Sequence, residues 1–352
     1  MNDTERLLSV FSQMYFYKEL VQDDLCFTPK GETERELADL LINLGDLIIA
    51  FQLKARNDLE QTTDQEIELK WLNNKCKAAK KQIKETIGYI LARQLPEFLN
   101  LRGKRIYVNS NAKIIPLVIF MNSTVKEYPH ILEKHSETGM CVNCISFPEF
   151  QALCRILITP IEIASYLEYR QRFYEENRQV DLSIYIDKQD DVILTRPMKE
   201  ESLAFQFLAI EYNVQKVSEK ESYLTEFQAF LHEMPEHTVT ESDQNANYSI
   251  LLFLAHFSRV EIKAFLERIH LARKSSRRNQ YGIVGSTRRA DDEYVIFYVA
   301  AKKGHKLSME YLLKLAQQKS DVKKLLQVVV YWENYKKFRI DYFLWDRNQK
   351  TT

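Results

Sequence analysis

Residues 31–57 read GETERELADLLINLGDLIIAFQLKARN. Two apolar runs, Leu40–Leu44 and Leu47–Leu53, flank Gly45-Asp46, whose glycine tolerates the positive φ of a tight two-residue hairpin turn. Runs that are apolar at nearly every position suit strands buried on both faces. With the turn at Gly45-Asp46, the register pairs Leu44 with Leu47, Asn43 with Ile48, Ile42 with Ile49, Leu41 with Ala50, Leu40 with Phe51 and Asp39 with Gln52. Successive strand side chains alternate faces, so Lys54 points with Gln52, while Phe51 and Leu53 point into the opposite layer. Three polar side chains, Asp39, Gln52 and Lys54, thus converge at one end of a greasy hairpin. A strand that is apolar elsewhere has no packing reason to end this way.

Asp39, twelve intervening residues and then Gln52-Leu53-Lys54 resemble the pattern of the PD-(D/E)XK nuclease superfamily, in which an acid on one strand is followed by (D/E/Q)-x-K on the next. The QxK variant is similar to the Mrr-type branch. Glu36 resembles the extra upstream acid of Holliday-junction-resolvase-like members. The resemblance spans roughly residues 30–155 and implies a restriction-endonuclease-like αβββαβ core within an α/β chain. It also implies a Mg²⁺- or Mn²⁺-dependent nuclease, DNA being favoured over RNA as substrate, and a role as an effector of bacterial anti-phage defence. A homo-oligomer or a partner protein of a defence complex is the matching expectation for assembly.

The chemistry accounts for these residue types. Mg²⁺ prefers oxygen ligands, keeps several waters, and is usually held by one or two carboxylates plus substrate phosphate. Asp39 is then the principal ligand, Gln52 contributes its amide oxygen, and Glu36, read as one helical turn before Asp39, acts through a water. Lys54 holds the attacking water and stabilises charge in the transition state. Each residue also has an ordinary reading: Thr33-x-x-Glu36 spells a helix capping box, Asp39 suits a turn, and Lys54 suits a solvated strand end. Gln52 in place of an acid keeps a further reading open, a catalytically degenerate module that binds nucleic acid or serves assembly. A structural interaction protein is a third.

Lys70, Lys75, Lys77, Lys80, Lys81 and Lys84 follow the hairpin with no acid among Lys70–Lys84. At helical spacing they cannot share one face, so some are solvated and others, Lys75, Lys77 and Lys81 foremost, are candidates for phosphate contact. Gln82 on this helix is expected to face the site. The acidic stretch before it, Asp58, Glu60, Asp64, Glu66 and Glu68, reads as a mobile loop. A second basic run, Arg273, Lys274, Arg277, Arg278, Arg288 and Arg289, brackets Tyr281-Gly282 and reads as an exposed nucleic-acid-binding loop, followed by Lys302, Lys303, His305 and Lys306.

With 352 residues the chain exceeds one average domain. The charged run YEENRQ (174–179) suggests a nuclease domain at 1–178 and a mixed α/β recognition, assembly or regulatory domain at 179–352. An apolar content of 45% against 28% charged residues describes a globular chain. Lys plus Arg number 49, as do Asp plus Glu, so affinity for a polyanion must come from local patches. The N-terminus has acids and no continuous apolar core, unlike a signal peptide, and no apolar run approaches the about 20 residues of a membrane span. A cytoplasmic protein without a membrane partner is expected.

Apolar spacing predicts helices at 4–21, 68–91, 150–157, 161–176, 248–271 and 309–318. It predicts strands at 105–108, 114–120, 140–145, 182–186, 294–299, 327–332 and 339–345. Five cysteines read as reduced thiols, and Cys141-Val-Asn-Cys144 reads as buried strand, since no second metal half-site accompanies it. P-loop, dinucleotide, α/β-hydrolase and zincin motifs are absent. His232-Glu-Met-Pro-Glu-His237 lacks the helical spacing of a zinc pair, and His130 with His135 fares no better.

Overall fold

In a computed structural model the hairpin turns where glycine allows it: Gly45 has φ 88°, its N–H donates to the Asn43 side chain at 2.9 Å, and Leu44 N–H donates to the Leu47 carbonyl at 2.8 Å. The structure describes residues 3–23, 25–27, 35–57, 60–91, 98–99, 105–106, 108–125, 132–134, 141–176, 183–187, 192–196, 223, 225–227, 229–231, 246–288, 294–302, 323–332 and 338–346. The expectations for 28–34, Asp58, His130, His135, 232–237, Arg289, Lys303, His305, Lys306 and 309–318 lie outside these residues. Two units are resolved: Met1–Glu219 with Ala255–Ser258, and Lys220–Leu254 with Arg259–Thr352.

The first unit contains α1 (Asp3–Tyr15), β1 (Val21–Asp23), β2 (Cys26–Phe27), β3 (Arg35–Glu36), β4 (Leu40–Asn43), β5 (Leu47–Ala55), α2 (Gln65–Leu91), β6 (Phe98–Leu99) and β7 (Arg105–Ile106). It continues with β8 (Lys113–Met121), β9 (Leu132–Lys134), β10 (Cys141–Ser146), α3 (Phe147–Leu157), α4 (Pro160–Glu176), β11 (Ser183–Asp187) and β12 (Val192–Arg196). Its main sheet has six strands in the order β1-β4-β5-β8-β10-β9. The hairpin pairs Leu40 with Phe51 through Asn43 with Ile48, in the expected register. β5 then runs parallel to β8, with α2 between them in sequence. Leaving aside the two-residue pairs β2–β3 and β6–β7, which lie outside the main sheet, the elements run α1, β1, β4, β5, α2 and β8, a mixed α/β arrangement.

Alternation along β5 divides the layers. Phe51 packs edge-on against Phe150 of α3, ring centroids 5.6 Å apart, and Phe11 of α1 reaches Phe150 at 5.9 Å. The opposite face meets α2, whose Leu72, Cys76, Ala79, Ile83, Ile87 and Ile90 form a buried stripe at helical spacing. Thr159 caps α4, its hydroxyl accepting the Glu162 N–H at 3.3 Å, with Pro160 in the first turn. Ser146 and Glu149 form a full capping box on α3.

Several expectations are corrected. The first helix stops at Tyr15 rather than 21, because Val21–Asp23 pair with β4 instead. Glu36 is not on a helix: it pairs with Cys26 in the β2–β3 bridge. The acidic stretch is no free loop. Asp64 caps α2, its carboxylate accepting the Glu66 and Ile67 N–H groups, and Glu68 is fully buried.

The second unit holds α5 (Ala246–Ala255), α6 (Arg259–Arg277) and a four-stranded sheet. Its strands are β13 (Gly282–Arg288), β14 (Tyr294–Ala301), β15 (Lys324–Trp332) and β16 (Phe338–Asp346). The order is β13-β14-β15-β16, with a parallel β14–β15 pair at the centre. Phe227, Phe230, Phe265, Tyr298 and Tyr342 build its aromatic core through edge-on contacts. One helix over 248–271 was expected and two are found, broken at His256–Ser258. His256 belongs to the first unit, and within it its Nε2 lies 2.8 Å from the Leu44 carbonyl and 3.3 Å from the Asp46 carboxylate at the hairpin turn. Among the described residues no helix is long and apolar enough to cross a membrane.

Candidate active site

Asp39 precedes β4, where the hairpin ladder ends at Leu40 and Phe51, so Leu53 on β5 has no β4 residue opposite it. The Asp39 carboxylate takes that place, accepting the Leu53 N–H at 2.5 Å. A short acidic side chain can replace a ladder bond in this way, and a buried N–H requires an acceptor. The expected backbone pairing of Asp39 with Gln52 is thus replaced by a side-chain bond one residue further on. Its consequence is the same convergence: Lys54 Nζ stands 3.1 Å from Gln52 Oε1 and 3.8 Å from Asp39 Oδ2.

The site is drier than a solvated strand end. Gln52 is buried, and the Asp39 and Lys54 side chains retain 7% and 15% of their exposure. Burial pushes the Asp39 carboxyl up, and the Glu5 charge adds to this, against the opposing pull of Lys54 and the Leu53 N–H. Glu36 reaches the surface, yet its carboxyl is also raised, by partial burial and then by the charges of Asp39 and Glu5, against Lys54. Glu36 therefore lies within the field of the site although the helix proposed to carry it does not exist.

Glu5, half-exposed on α1, is a member that the sequence reading missed. Nothing local marks it: it is an acid in the first turn of a helix, where acids are common for dipole reasons. A second omission is the clamp beyond Lys54. Arg56 Nε lies 3.3 Å from the buried Glu68 Oε2, Asn122 donates to the same oxygen at 2.7 Å, and Thr62 N–H donates to Oε1 at 3.1 Å. Burial opposes ionisation of Glu68, but the bonds from Asn122 and Thr62 and the Arg56 charge outweigh it and hold the carboxyl below its usual value. The clamp joins the ends of β5 and β8 to the start of α2, and so anchors the strand that carries Gln52 and Lys54.

The carboxyls of Asp39 and Glu36 are both raised, and Asp39 stands beside the Gln52 amide through Lys54; a carboxylate and an amide oxygen are the oxygen donors that a hard divalent cation takes. Asp39 and Gln52 would hold it, with Glu36 and Glu5 nearby. Among the described residues no group of three His, Cys, Asp or Glu side chains stands ready as a metal cluster, so substrate oxygens and water would complete the shell.

The basic candidates are placed as follows. Lys70, Lys75, Lys77 and Lys81 are exposed on α2, whereas Lys80 and Lys84 are half-buried. Gln82 is exposed as well. The second basic run is not one loop: Arg273, Lys274 and Arg277 lie on α6, and Arg288 lies on β13. The helix ends where Asn279 adopts φ 59°, and basic residues in its last turn complement the helix dipole. Arg273 stacks on Phe338 at 3.7 Å and bonds Glu226 at 3.4 Å, which commits it to packing. Lys274, Arg277 and Arg278 remain exposed, with Arg277 5.8 Å from the Trp332 ring.

No family model, no curated protein and no solved structure matches the chain.

Proposed function

We propose that the protein is a metal-dependent nuclease that hydrolyses phosphodiesters, with DNA the favoured substrate. The observation that carries this reading is the meeting of Asp39, Gln52 and Lys54, with Lys54 Nζ within 3.8 Å of an oxygen of each partner. A bound Mg²⁺ or Mn²⁺ would supply Lewis acidity toward the phosphate and lower the pKa of a water. Asp39 and Gln52 would hold it. The remaining steps belong to the chain. Lys54 donates to the attacking water and to the phosphate oxygens, orienting the one and stabilising charge on the other. Burial of Gln52 and Asp39 excludes bulk water and strengthens these interactions. The water oxygen bonds to phosphorus, the bond to the leaving oxygen breaks, and the water's proton is finally carried to that oxygen. Exposed Lys274, Arg277 and Arg278, and Lys75, Lys77 and Lys81, are the candidates for contacting phosphates away from the cut. A role as a defence effector belongs to the same reading through the resemblance of Gln52-Leu53-Lys54 to QxK nucleases.

One observation favours a second reading, a degenerate module that binds nucleic acid without cutting it. Gln52 Oε1 already accepts a hydrogen bond from the Lys54 ammonium, so a metal cation would have to share that oxygen with a positively charged neighbour. Incubation of supercoiled plasmid, linear duplex and single-stranded RNA with Mg²⁺, Mn²⁺ or EDTA separates the two. Metal-dependent cleavage that Lys54→Met abolishes is the expected result. Binding without cleavage under every condition would assign the module reading instead.

A further inference from the structure

Cys76 lies on α2 and Cys144 on β10, 68 residues apart, and their sulfurs stand 3.4 Å from each other. Both are buried free thiols. Cys144 aligns with Val118 on β8, which aligns with Gln52 on β5. Aligned residues of parallel strands share a face, so Cys144 points into the layer of α2, and Cys141, three residues earlier, points the other way. The CVNC spacing therefore pairs nothing, whereas the helix packing brings two distant thiols together.

Two cations act on this pair. Lys80, one turn beyond Cys76, is half-buried and exerts its charge on both sulfurs. Arg170 of α4 acts on Cys144. Its guanidinium is fully buried and finds no hydrogen-bond partner among the described residues; Tyr166 and Glu149 also act on it electrostatically. A buried cation without hydrogen bonds is costly, and a negative group beside it is favoured. At rest, the hydrogen bond with Cys76 and then burial hold the Cys144 thiol well above its ordinary range. The cations matter when a proton is lost, because they stabilise the thiolate that attacks.

We propose that Cys76 and Cys144 form a modification site at which hydrogen peroxide produces an intramolecular disulfide, fastening α2 to the main sheet. One thiol loses its proton and its sulfur attacks a peroxide oxygen. The O–O bond breaks, the departing oxygen leaves as water, and a sulfenic acid forms. The second thiol then attacks that sulfur, losing its own proton, and the S–O bond breaks to release a second water as the S–S bond forms. Two thiols give up two electrons and two hydrogens, and one peroxide is reduced to two waters. A disulfide bond is about 2.05 Å long, so the sulfurs approach by roughly 1.4 Å. Cys154, whose thiol burial alone pushes up, has no such cation acting on it.

The inference does not rest on the nuclease reading, and neither does its test. The full chain is exposed to graded hydrogen peroxide, alkylated in denaturant, digested and mapped by mass spectrometry. The expected product is a peptide pair joined through Cys76 and Cys144, two hydrogens lighter and restored by dithiothreitol, with the free-thiol count falling by two from the chain's five. Lys80→Gln, a change at a half-exposed position, should slow formation of the link several-fold while leaving the unfolding temperature in place. The proposal is overturned if no such pair appears at doses that leave the far-ultraviolet circular dichroism unchanged. It is equally overturned if the link joins other cysteines, or if Cys76 or Cys144 proceeds only to sulfinic acid.

Discussion

The carboxylate of Asp39 closes the hairpin ladder by accepting the backbone N–H of Leu53 at 2.5 Å, and this bond fixes the acid beside Lys54, 3.8 Å away. One side chain thus serves both the fold and the candidate chemistry. Removing it by truncation would confuse the two roles, and a conservative replacement separates them. Asp39→Asn keeps an oxygen for Leu53 and loses the charge. Cleavage by Asp39→Asn and by Lys54→Met should fall by about 100-fold or more, the scale of losing one charge-stabilising group, with far-ultraviolet circular dichroism unchanged. Wild-type rates in both variants would place the observed nuclease elsewhere.

Gln52 separates a working site from a relic. Gln52→Glu adds a carboxylate next to Lys54 and should retain Mg²⁺- or Mn²⁺-dependent cleavage, with tighter metal binding by calorimetry. Gln52→Ala removes the amide oxygen and should be strongly impaired. If Gln52→Ala cleaves as fast as wild type, Gln52 is not a ligand.

Stability should depend on pH through the acidic pair. Burial comes first in raising Asp39, and it also leads for Glu36. A carboxyl whose folded pKa lies above its unfolded value binds its proton more tightly in the fold. Its contribution is therefore most favourable below the unfolded range of about pH 4, and declines as pH rises toward the folded value. The unfolding temperature of wild type should fall across this window relative to Asp39→Asn. At neutral pH, Mg²⁺ or Mn²⁺ should raise the wild-type unfolding temperature and leave Asp39→Asn unmoved. Identical pH curves for the two proteins would remove the electrostatic coupling from the account.

Phe51 tests the opposite layer. It is fully buried against Phe150, and Phe51→Ala should cost about 3–5 kcal/mol by transfer and cavity terms together. Urea unfolding followed by tryptophan fluorescence and circular dichroism gives the value. A loss under about 1 kcal/mol would mean that the layer repacks around the gap.

The hairpin was legible because its signals are local. Gly45 permits the turn, alternation assigns the faces, and both depend only on neighbours in the chain. The same locality made the amphipathic stripe of α2 readable. Tertiary contacts decided the rest. The helical spacing ran on to residue 21, but pairing of Val21–Asp23 with β4 drew that end into a strand. Glu36 spelled half of a capping box, yet Cys26 supplied a strand partner from outside the window. Glu5 entered the site and Glu68 entered the clamp because α1, β5, β8 and α2 converge in space. Local propensities are worth tenths of a kcal/mol per residue, whereas pairing and burial act on whole elements at once. Linear order encodes the turn and the faces; only packing ends the first helix at Tyr15 and brings Glu5 to Asp39, Arg56 to Glu68 and Cys76 to Cys144.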